Sequence, residues 1–204
     1  MPERGRLTVD WDERFRRALA EQDAPDPPAA WLLAHRDALA ALAPGRAADV
    51  ACGLGRHAVM LAELGFEVDA LDASEVGLAY LAGVARDRGL AIHCERVDLR
   101  ARPALPRPPY RAVVVTNYLH RELLGVLVDA LLPGGLLAVE AFLAHPDPEW
   151  GPREPAMVLE PGELPRLLVG TEIVSYDEAP HRGRVKARAL VHLAPHEPTD
   201  ARPA

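Results

Sequence analysis

The sequence has almost no lysine. Lys186 is the single lysine among 23 basic residues, and the others are arginines spread along a chain whose formal net charge is −7. Nucleic-acid-binding domains usually have a high isoelectric point and cluster their basic residues on one face or one helix. We therefore expect no nucleic-acid partner.

Cysteines and long apolar runs are also scarce. Cys52 and Cys94 form no Cys-x-x-Cys pair, which argues against a disulfide framework or a zinc site, and no His-Glu-x-x-His motif suggests another metal. The first residues carry charges where a signal peptide has its apolar run, and no apolar stretch approaches the roughly 18 residues that span a membrane. These absences predict a cytoplasmic protein with no membrane partner and no metal.

The 204 residues fit a single domain in which helical and strand patterns alternate. Asp10 and Ser74 are predicted N-caps and Gly89 a helix end. Helices are predicted at 10–22, 29–42, 56–65, 74–89, 120–132 and 161–168. Strands are predicted at 47–51, 66–72, 91–98, 110–117 and 136–143, with an antiparallel hairpin of 171–179 and 184–194.

This alternation predicts an α/β fold. We expect a Rossmann-like, doubly wound, mostly parallel seven-stranded sheet that ends in a C-terminal antiparallel hairpin and has helices on both faces. The apolar run at 110–117 is typical of a strand that is buried on both sides.

A glycine motif lies between the first strand and the first helix of the sheet. In the segment DVACGLGRHA (49–58), Gly53 and Gly55 would let the backbone approach a ligand, and the next helix would direct free N–H groups at an anion. Asp72 ends the second strand, where a carboxylate can accept hydrogen bonds from a ribose diol. The same glycines could also serve only a tight turn.

The motif alone does not choose between cofactors, since Gly53-x-Gly55-x-x-Ala58 also satisfies the NAD fingerprint. Three features disfavour NAD. A helical lead precedes the first strand, Asp98 follows the third strand where it can accept a hydrogen bond from an adenine amino group, and the terminal hairpin replaces the second half of a dinucleotide fold. The sequence also lacks the Tyr-x-x-x-Lys motif of many NAD-dependent oxidoreductases.

The chain resembles the class I S-adenosylmethionine-dependent methyltransferases, particularly the small tellurite-resistance and thiopurine type. The resemblance rests on ADVACGLGRHAVMLAELGFEVDALDAS, VDL, VVVTNYLHRELL and LLPGGLLAVEAF, and more loosely on WDERFR, LEPGEL and APHRGRVKARAL. It covers most of residues 10–194. The first glycine of the family's frequent DxGxGxG motif is Ala51 here.

The resemblance implies a division of the chain and a set of cofactor contacts. It implies an N-terminal helical lid (10–43), a cofactor-binding core (46–143), a substrate loop, helix and hairpin (144–194) and a tail (195–204). S-adenosylmethionine would be bound, and S-adenosylhomocysteine would be the product. The implied contacts are Asp49, Ala51, Gly53, Gly55 and Arg56 at the methionine end, Asp72 and Ala73 at the ribose, Asp98 and Leu99 at the adenine, Asn117 at the sulfonium, and Trp11 with Phe15 in the lid.

The implied reaction is in-line transfer of a methyl group to a small molecule. His120 and the His181-Arg182 pair are the candidate catalytic residues, since a histidine could deprotonate a neutral acceptor near pH 7. Simpler alternatives stay open: Asp98 could cap a turn, His120 could only begin a helix, and Trp11 could be plain core. The protein could also bind S-adenosylmethionine without catalysis, and it could be a monomer or a homodimer.

Overall fold

In the computed structural model, the described residues are 10–21, 26–144, 152, 154–181 and 184–194. They form a seven-stranded sheet in the order β3-β2-β1-β4-β5-β7-β6. The first five strands are parallel, whereas β7 pairs antiparallel with both β5 and β6. The predicted mostly parallel sheet with a terminal hairpin is therefore confirmed. The strands are β1 Gly45–Val50, β2 Phe66–Asp72, β3 Ile92–Arg96, β4 Tyr110–Thr116, β5 Leu131–Phe142, β6 Thr171–His181 and β7 Arg184–Leu193.

Helices cover both faces of the sheet. They are α1 Trp11–Glu21, α2 Ala30–Leu33, α3 Arg36–Ala40, α4 Arg56–Glu63, α5 Glu75–Arg88, α6 Arg121–Asp129 and α7 Glu163–Leu167, with a short 3-10 helix at Pro155–Met157. The predicted caps are confirmed: the Glu13 N–H donates to Asp10 Oδ1 (3.0 Å), the Gly77 N–H donates to Ser74 Oγ (3.1 Å), and Gly89 adopts the left-handed conformation at the end of α5.

Strand β4 shows why the core has two halves. Ala112 and Val114 pack with α2–α5, whereas Val113 and Val115 pack with α6 and α7, and all four are fully buried or nearly so. Successive strand residues point to opposite faces, so an uninterrupted apolar run must be covered on both sides. The prediction for 110–117 is confirmed.

Two predicted element boundaries are wrong. The single helix expected at 29–42 is two short helices separated by a turn at Ala34 and His35, and His35 forms a hydrogen bond with Ser175 of β6 (3.0 Å). Strand β5 starts at Leu131 instead of after the Pro-Gly-Gly segment, with a register shift opposite β4. Both differences depend on distant strands and not on local sequence.

Candidate functional site

The candidate site lies at the carboxyl ends of the parallel strands. Strand β1 has β2 as its neighbour on one edge and β4 on the other, so the strand order reverses at β1. In a doubly wound sheet, the crevice at such a reversal of strand order is the usual ligand site. The glycine loop after β1 and Asn117 after β4 flank this crevice.

The glycine loop, Ala51–Gly55, adopts an unusual backbone conformation. Ala51 (φ 55°), Gly53 (φ 58°) and Gly55 (φ 81°) are all in the left-handed region. A residue with a Cβ is uncommon there, and such residues concentrate at functional sites. Ala51 therefore occupies a glycine-type position, in agreement with the resemblance that aligns it with the first glycine of the family motif.

Asp72 ties the end of β2 to this loop. Its Oδ2 accepts a hydrogen bond from the Gly53 N–H (2.8 Å), and its Oδ1 accepts one from the Ser74 N–H (2.9 Å). Burial raises the pKa of Asp72, and the hydrogen bonds to Ser74 and Gly53 oppose that rise. A carboxylate offers about four acceptor positions, so the backbone N–H groups do not use all of them and a hydroxyl donor can still bind. The neighbouring Ala73 is exposed.

Asp49 and Arg56 lie on either side of the loop. Asp49 is 1% exposed and accepts a hydrogen bond from the Ala58 N–H at the start of α4 (2.8 Å). Burial raises its pKa to about 7. Arg56, the first residue of α4, donates to the Pro27 carbonyl at 3.4 Å. Asp49 thus stabilises the turn into α4. The Arg56 side chain is partly accessible to solvent, so its positive charge can face a ligand at the loop.

The two residues predicted at the adenine differ in exposure. Asp98 is exposed, and its Oδ1 accepts hydrogen bonds from the Arg100 (3.0 Å) and Ala101 (3.3 Å) N–H groups, so it caps a turn. Leu99 is 4% exposed and packs in the core. The Leu99 side chain therefore belongs to the core.

Helix α1 lies over the glycine loop. A Cβ added at Gly53 would meet the Phe15 ring at 3.1 Å, and one added at Gly77 would meet it at 3.3 Å. Trp11 is 40% exposed and stacks on Phe15, with ring centroids 5.8 Å apart. Phe15 thus covers the loop directly, and Trp11 supports it from the solvent side.

The segment after β4 contains the other half of the crevice. Asn117 has φ 58°, and its N–H donates to the Glu140 carbonyl (2.8 Å). The His120 Nδ1 is buried and has no hydrogen-bond partner among the described residues, whereas the buried Tyr118 hydroxyl lies close to the Arg100 side chain. Burial raises the pKa of Tyr118. An unpartnered buried atom such as His120 Nδ1 costs about 1–3 kcal/mol and is a candidate for a contact with a ligand.

A buried charged cluster next to Asn117 was not predicted from the sequence. Lys186 Nζ donates to Asn117 Oδ1 (2.6 Å) and to Glu140 Oε1 (2.5 Å), and Arg188 Nε donates to Glu140 Oε2 (3.0 Å). Each of the three charged side chains is at most 10% exposed. A signal was present in the sequence, because Glu140 and the only lysine interrupt apolar strand patterns.

His57 joins the helical lead to this side of the sheet. Its Nε2 accepts a hydrogen bond from the Ala29 N–H (3.1 Å), so in the neutral ring Nδ1 carries the proton and faces Thr116 Oγ1 at 3.4 Å. Burial lowers the pKa of His57 to about 3. His57 is therefore neutral at physiological pH.

The predicted His181-Arg182 pair falls largely on residues that the structure does not describe. The Arg182 residue and the His181 side chain lie outside the described residues, and His120 is the N-cap residue of α6 without a side-chain capping bond. Among the described residues there is no group of three or more potential metal ligands, and no helix has the length and apolarity needed to cross a bilayer.

The residues of the crevice fit S-adenosylmethionine. At Gly53 the left-handed loop presents backbone without a Cβ to the Phe15 ring, and the Asp72 carboxylate has acceptor positions for a diol. The Tyr118 hydroxyl and the unpartnered His120 Nδ1 lie in the segment that follows Asn117, after β4. These are the hydrogen-bond acceptors and the close backbone approach that a nucleoside with an amino-acid tail requires.

Comparisons with known proteins agree with this fold. Residues 34–134 match the family model described as tellurite resistance protein TehB. TehB from Haemophilus influenzae superposes with a TM-score of 0.67 at 21% identity, and the alignment covers 89% of this chain and 66% of that one. The chain thus spans slightly less than two thirds of that TehB. No curated protein sequence gives a significant match.

Two further solved structures have the same fold. Magnesium protoporphyrin IX methyltransferase (ChlM) from Synechocystis PCC 6803, solved with bound SAH, has a TM-score of 0.63 at 16% identity, over 89% of this chain and 94% of that one. The cyclase SpnF has a TM-score of 0.66 at 18% identity, over 91% and 93%. The chain thus has the fold of these solved structures, and just under half of it, residues 34–134, matches the TehB family model.

Proposed function

We propose that this protein transfers a methyl group from S-adenosylmethionine to a small-molecule acceptor in the cytoplasm. The observation that supports the proposal is the left-handed glycine loop after β1, whose Gly53 N–H binds Asp72, with Asn117 at the end of the neighbouring strand β4. The bound cofactor would supply an electrophilic methyl group for in-line displacement. The protein's own contribution is to bind, orient and exclude water.

The described residues suggest how binding is divided. Asp72 would hold the ribose hydroxyls, the loop from Ala51 to Gly55 would approach the methionine portion, and Arg56 would attract its carboxylate. Asp98 would receive the adenine amino group through the oxygen that does not cap the turn. Phe15 and Trp11 would cover the nucleoside, with Ala73 and the Leu99 backbone at its edge.

The acceptor would enter beside Asn117, Tyr118 and His120. Orienting the nucleophile and the methyl group can supply about 7–11 kcal/mol of the barrier reduction. We propose His120 or His181 as the base for a neutral acceptor, with Arg182 as an acceptor-binding residue. The TehB description adds metalloid oxyanions such as tellurite to the acceptors worth testing.

A second candidate function is cofactor binding without methyl transfer. The cyclase SpnF shares the fold over 91% of this chain, so the fold is compatible with other chemistry. An NAD-dependent oxidoreductase is less favoured because β6 and β7 form an antiparallel hairpin where a dinucleotide fold continues with parallel units.

Two measurements separate these functions. Thermal unfolding with S-adenosylmethionine, S-adenosylhomocysteine or NAD reports which ligand stabilises the protein, since a ligand at 100 times its Kd contributes about 2.7 kcal/mol. Release of S-adenosylhomocysteine with a panel of thiols, oxyanions and carboxylates reports turnover. Stabilisation by NAD alone would contradict the proposal, whereas tight cofactor binding without turnover on any acceptor would favour the second candidate.

A further inference from the structure

Exposed apolar side chains are concentrated at one edge of the sheet. Among the described residues, six large apolar side chains are exposed, and four of them lie between positions 169 and 176. Single exposed apolar residues are ordinary, whereas a group of them marks an interaction surface. We call these four residues the β6 patch: Val169 (79% exposed), Ile173 (50%), Val174 (51%) and Tyr176 (37%).

Strand β6 is the last strand of the sheet. It pairs with β7 on one side, and none of the other described strands lies against its outer side. An outer strand with exposed apolar residues tends to associate with another chain unless lysines or other charges protect it. The segment Thr171–His181 contains no lysine. The outer side of β6 is therefore open to a partner.

A β-bulge brings two of the patch side chains to the surface together. Ile173 lies opposite Val191 and Ser175 lies opposite Leu190, so Val174 is an extra residue with no counterpart on β7. Adjacent strand residues normally point to opposite faces, yet Ile173 and Val174 are both about half exposed. A bulge also interrupts the ladder of backbone hydrogen bonds. We therefore expect side chains, rather than a continuous backbone ladder, to make the contact.

The three acidic residues of β6 already have partners within the chain. Glu172 Oε2 lies 3.0 Å from the His192 Nε2. Asp177 accepts a hydrogen bond from Arg188 (3.2 Å), and Glu178 accepts one from the backbone N–H that precedes α7 (2.6 Å). Because these internal contacts engage all three acids, apolar surface rather than a free charge distinguishes this edge.

A second copy of the same chain fits the patch. In a two-fold contact the same surface of both copies meets itself. An antiparallel contact centred between Ile173 and Val174 places each of these residues opposite the other on the second copy, and uncharged residues then lie opposite all three acids of β6. A shift of two positions would instead place Glu172 opposite Asp177, and like charges that face each other are unfavourable. The charge pattern thus favours the centred arrangement.

We propose that the β6 patch is a homodimer interface, formed about a two-fold axis between Ile173 and Val174 of two copies. Fewer residues take part than the roughly 20–30 on each side of a standard interface, so the dimer is weak and reversible. The patch contains none of the residues assigned to the cofactor or the acceptor. The inference is therefore independent of the proposed methyl transfer.

Sedimentation equilibrium of the full chain tests the dimer directly. Over roughly a thousandfold range of concentration around a micromolar Kd, the average mass should rise from that of one chain, 22.1 kDa, toward that of two. A two-fold contact is closed, so the mass should not rise further. A single chain at every concentration, or assembly that continues beyond two copies, would overturn the inference.

Two charge variants locate the interface. Ile173→Lys and Val174→Lys each bring two ammonium groups together across the axis, so each should raise the dimer Kd at least about tenfold. His93→Lys adds the same charge at an exposed position of β3, on the opposite edge of the sheet, and is the matched control. Its dimer Kd should stay within about twofold of the wild type. A dimer that neither patch lysine weakens would contradict the proposed surface.

A cysteine variant keeps the proposal testable if the lysines disturb β6. Val174→Cys replaces a half-exposed side chain by a small one, and oxidation by diamide should link two copies through this residue because it lies beside the two-fold axis. His93→Cys and the wild type, treated in the same way, should remain unlinked. Equal amounts of linked dimer in the Val174→Cys and His93→Cys proteins, or none in either, would overturn the inference.

Discussion

Asp12 on the first helix accepts a hydrogen bond from the Ser74 hydroxyl at the start of α5, at 2.5 Å. The same Asp12 oxygen accepts the Val76 N–H at 3.1 Å. These bonds lower the pKa of Asp12. They connect α1, which carries Phe15, to α5, which follows Asp72. The helix that lies over the glycine loop is thus attached to the start of α5.

Asp12→Ala should loosen this cover. Ser74 would keep its bond to Gly77, so we expect the core to stay folded while S-adenosylhomocysteine affinity falls about three- to tenfold, as for the loss of one or two hydrogen bonds. Calorimetry measures the affinity, and limited proteolysis measures exposure of α1. Glu13→Ala, a change on the exposed face of the same helix, is the control. Equal affinity in both variants would remove Asp12 from this role.

Asp72→Asn should weaken cofactor binding about tenfold to a hundredfold, equivalent to about 1.5–3 kcal/mol. The amide keeps the shape of the side chain but retains only one acceptor oxygen for the Gly53 and Ser74 N–H groups and for a diol. Titration with S-adenosylhomocysteine measures the loss. Asp87→Asn, at an exposed position of α5, is the control, and unchanged affinity for Asp72→Asn would exclude it from the site.

Much of this architecture follows from the sequence because its determinants are local. The unbroken apolar run of β4 requires cover on both faces, and Ser74 and Gly89 mark the ends of α5 where the structure has them. The turn at His35 has a different origin, since its partner Ser175 lies 140 residues away. Local helix propensity does not contain that contact.

The charged cluster shows the same limit. Glu140 and Lys186 are visible as charges in apolar strands, but their meeting depends on the antiparallel register that aligns Glu140 with Arg188 and Phe142 with Lys186. A one-residue change of register would place the lysine on the opposite face. Sequence periodicity fixes which residues share a face and leaves open which strands are neighbours.

His57 and Asp49 should make opposite contributions to the pH dependence of the free energy of unfolding. The pKa of His57 is lowered from 6.5 to about 3. Between these values the unfolded chain binds a proton on His57 and the folded chain does not, so the free energy of unfolding decreases below pH 6.5. The decrease is at most about 3 kcal/mol at pH 4. The pKa of Asp49 is raised from 3.8 to about 7, so the folded state gains its proton first, and stability rises as the pH falls below 7.

Single variants should separate these contributions. His57→Gln keeps an acceptor for the Ala29 N–H and should improve relative to the wild type as the pH falls from 6.5 to 4. Asp49→Asn keeps an acceptor for the Ala58 N–H. Because the wild type is stabilised by protonation of Asp49 and this variant is not, its free energy of unfolding should fall relative to that of the wild type over the same interval. Urea unfolding of all three proteins from pH 8 to 4 measures the differences. Parallel curves for the wild type and both variants would show that neither group titrates differently on folding.

Arg121 should hold the segment 154–163 against α6. Its guanidinium donates to the Glu163 carboxylate (2.6 and 3.0 Å) and to the Ala156 and Val158 carbonyls (3.0 and 2.9 Å). Because the side chain is 36% exposed, solvent reduces the effect, and Arg121→Lys should cost only about 1–2 kcal/mol. Urea unfolding and proteolysis of this segment measure the change. Arg166→Lys, in the last turn of α7, is the control and should have no effect.

Gly77 should be indispensable to the contact between α5 and the glycine loop. A Cβ at this position would lie 2.7 Å from the Gly53 carbonyl oxygen, and a backbone atom can move away only by displacing the loop. We therefore expect Gly77→Ala to destabilise the protein by about 1–3 kcal/mol and to weaken S-adenosylhomocysteine binding, measured by thermal unfolding and calorimetry.

Gly83→Ala provides the matched control on the same helix. A Cβ there would meet only an arginine side-chain nitrogen, Arg86 Nη2, at 3.9 Å. Alanine is favoured over glycine in a helix interior by about 0.5–1 kcal/mol, so this variant should be slightly more stable than the wild type with unchanged cofactor affinity. The gain in stability from helix propensity and the loss from displacing the loop therefore have opposite signs. A Gly77→Ala protein that is more stable than the wild type and has normal cofactor affinity would mean that α5 does not support the loop through this contact.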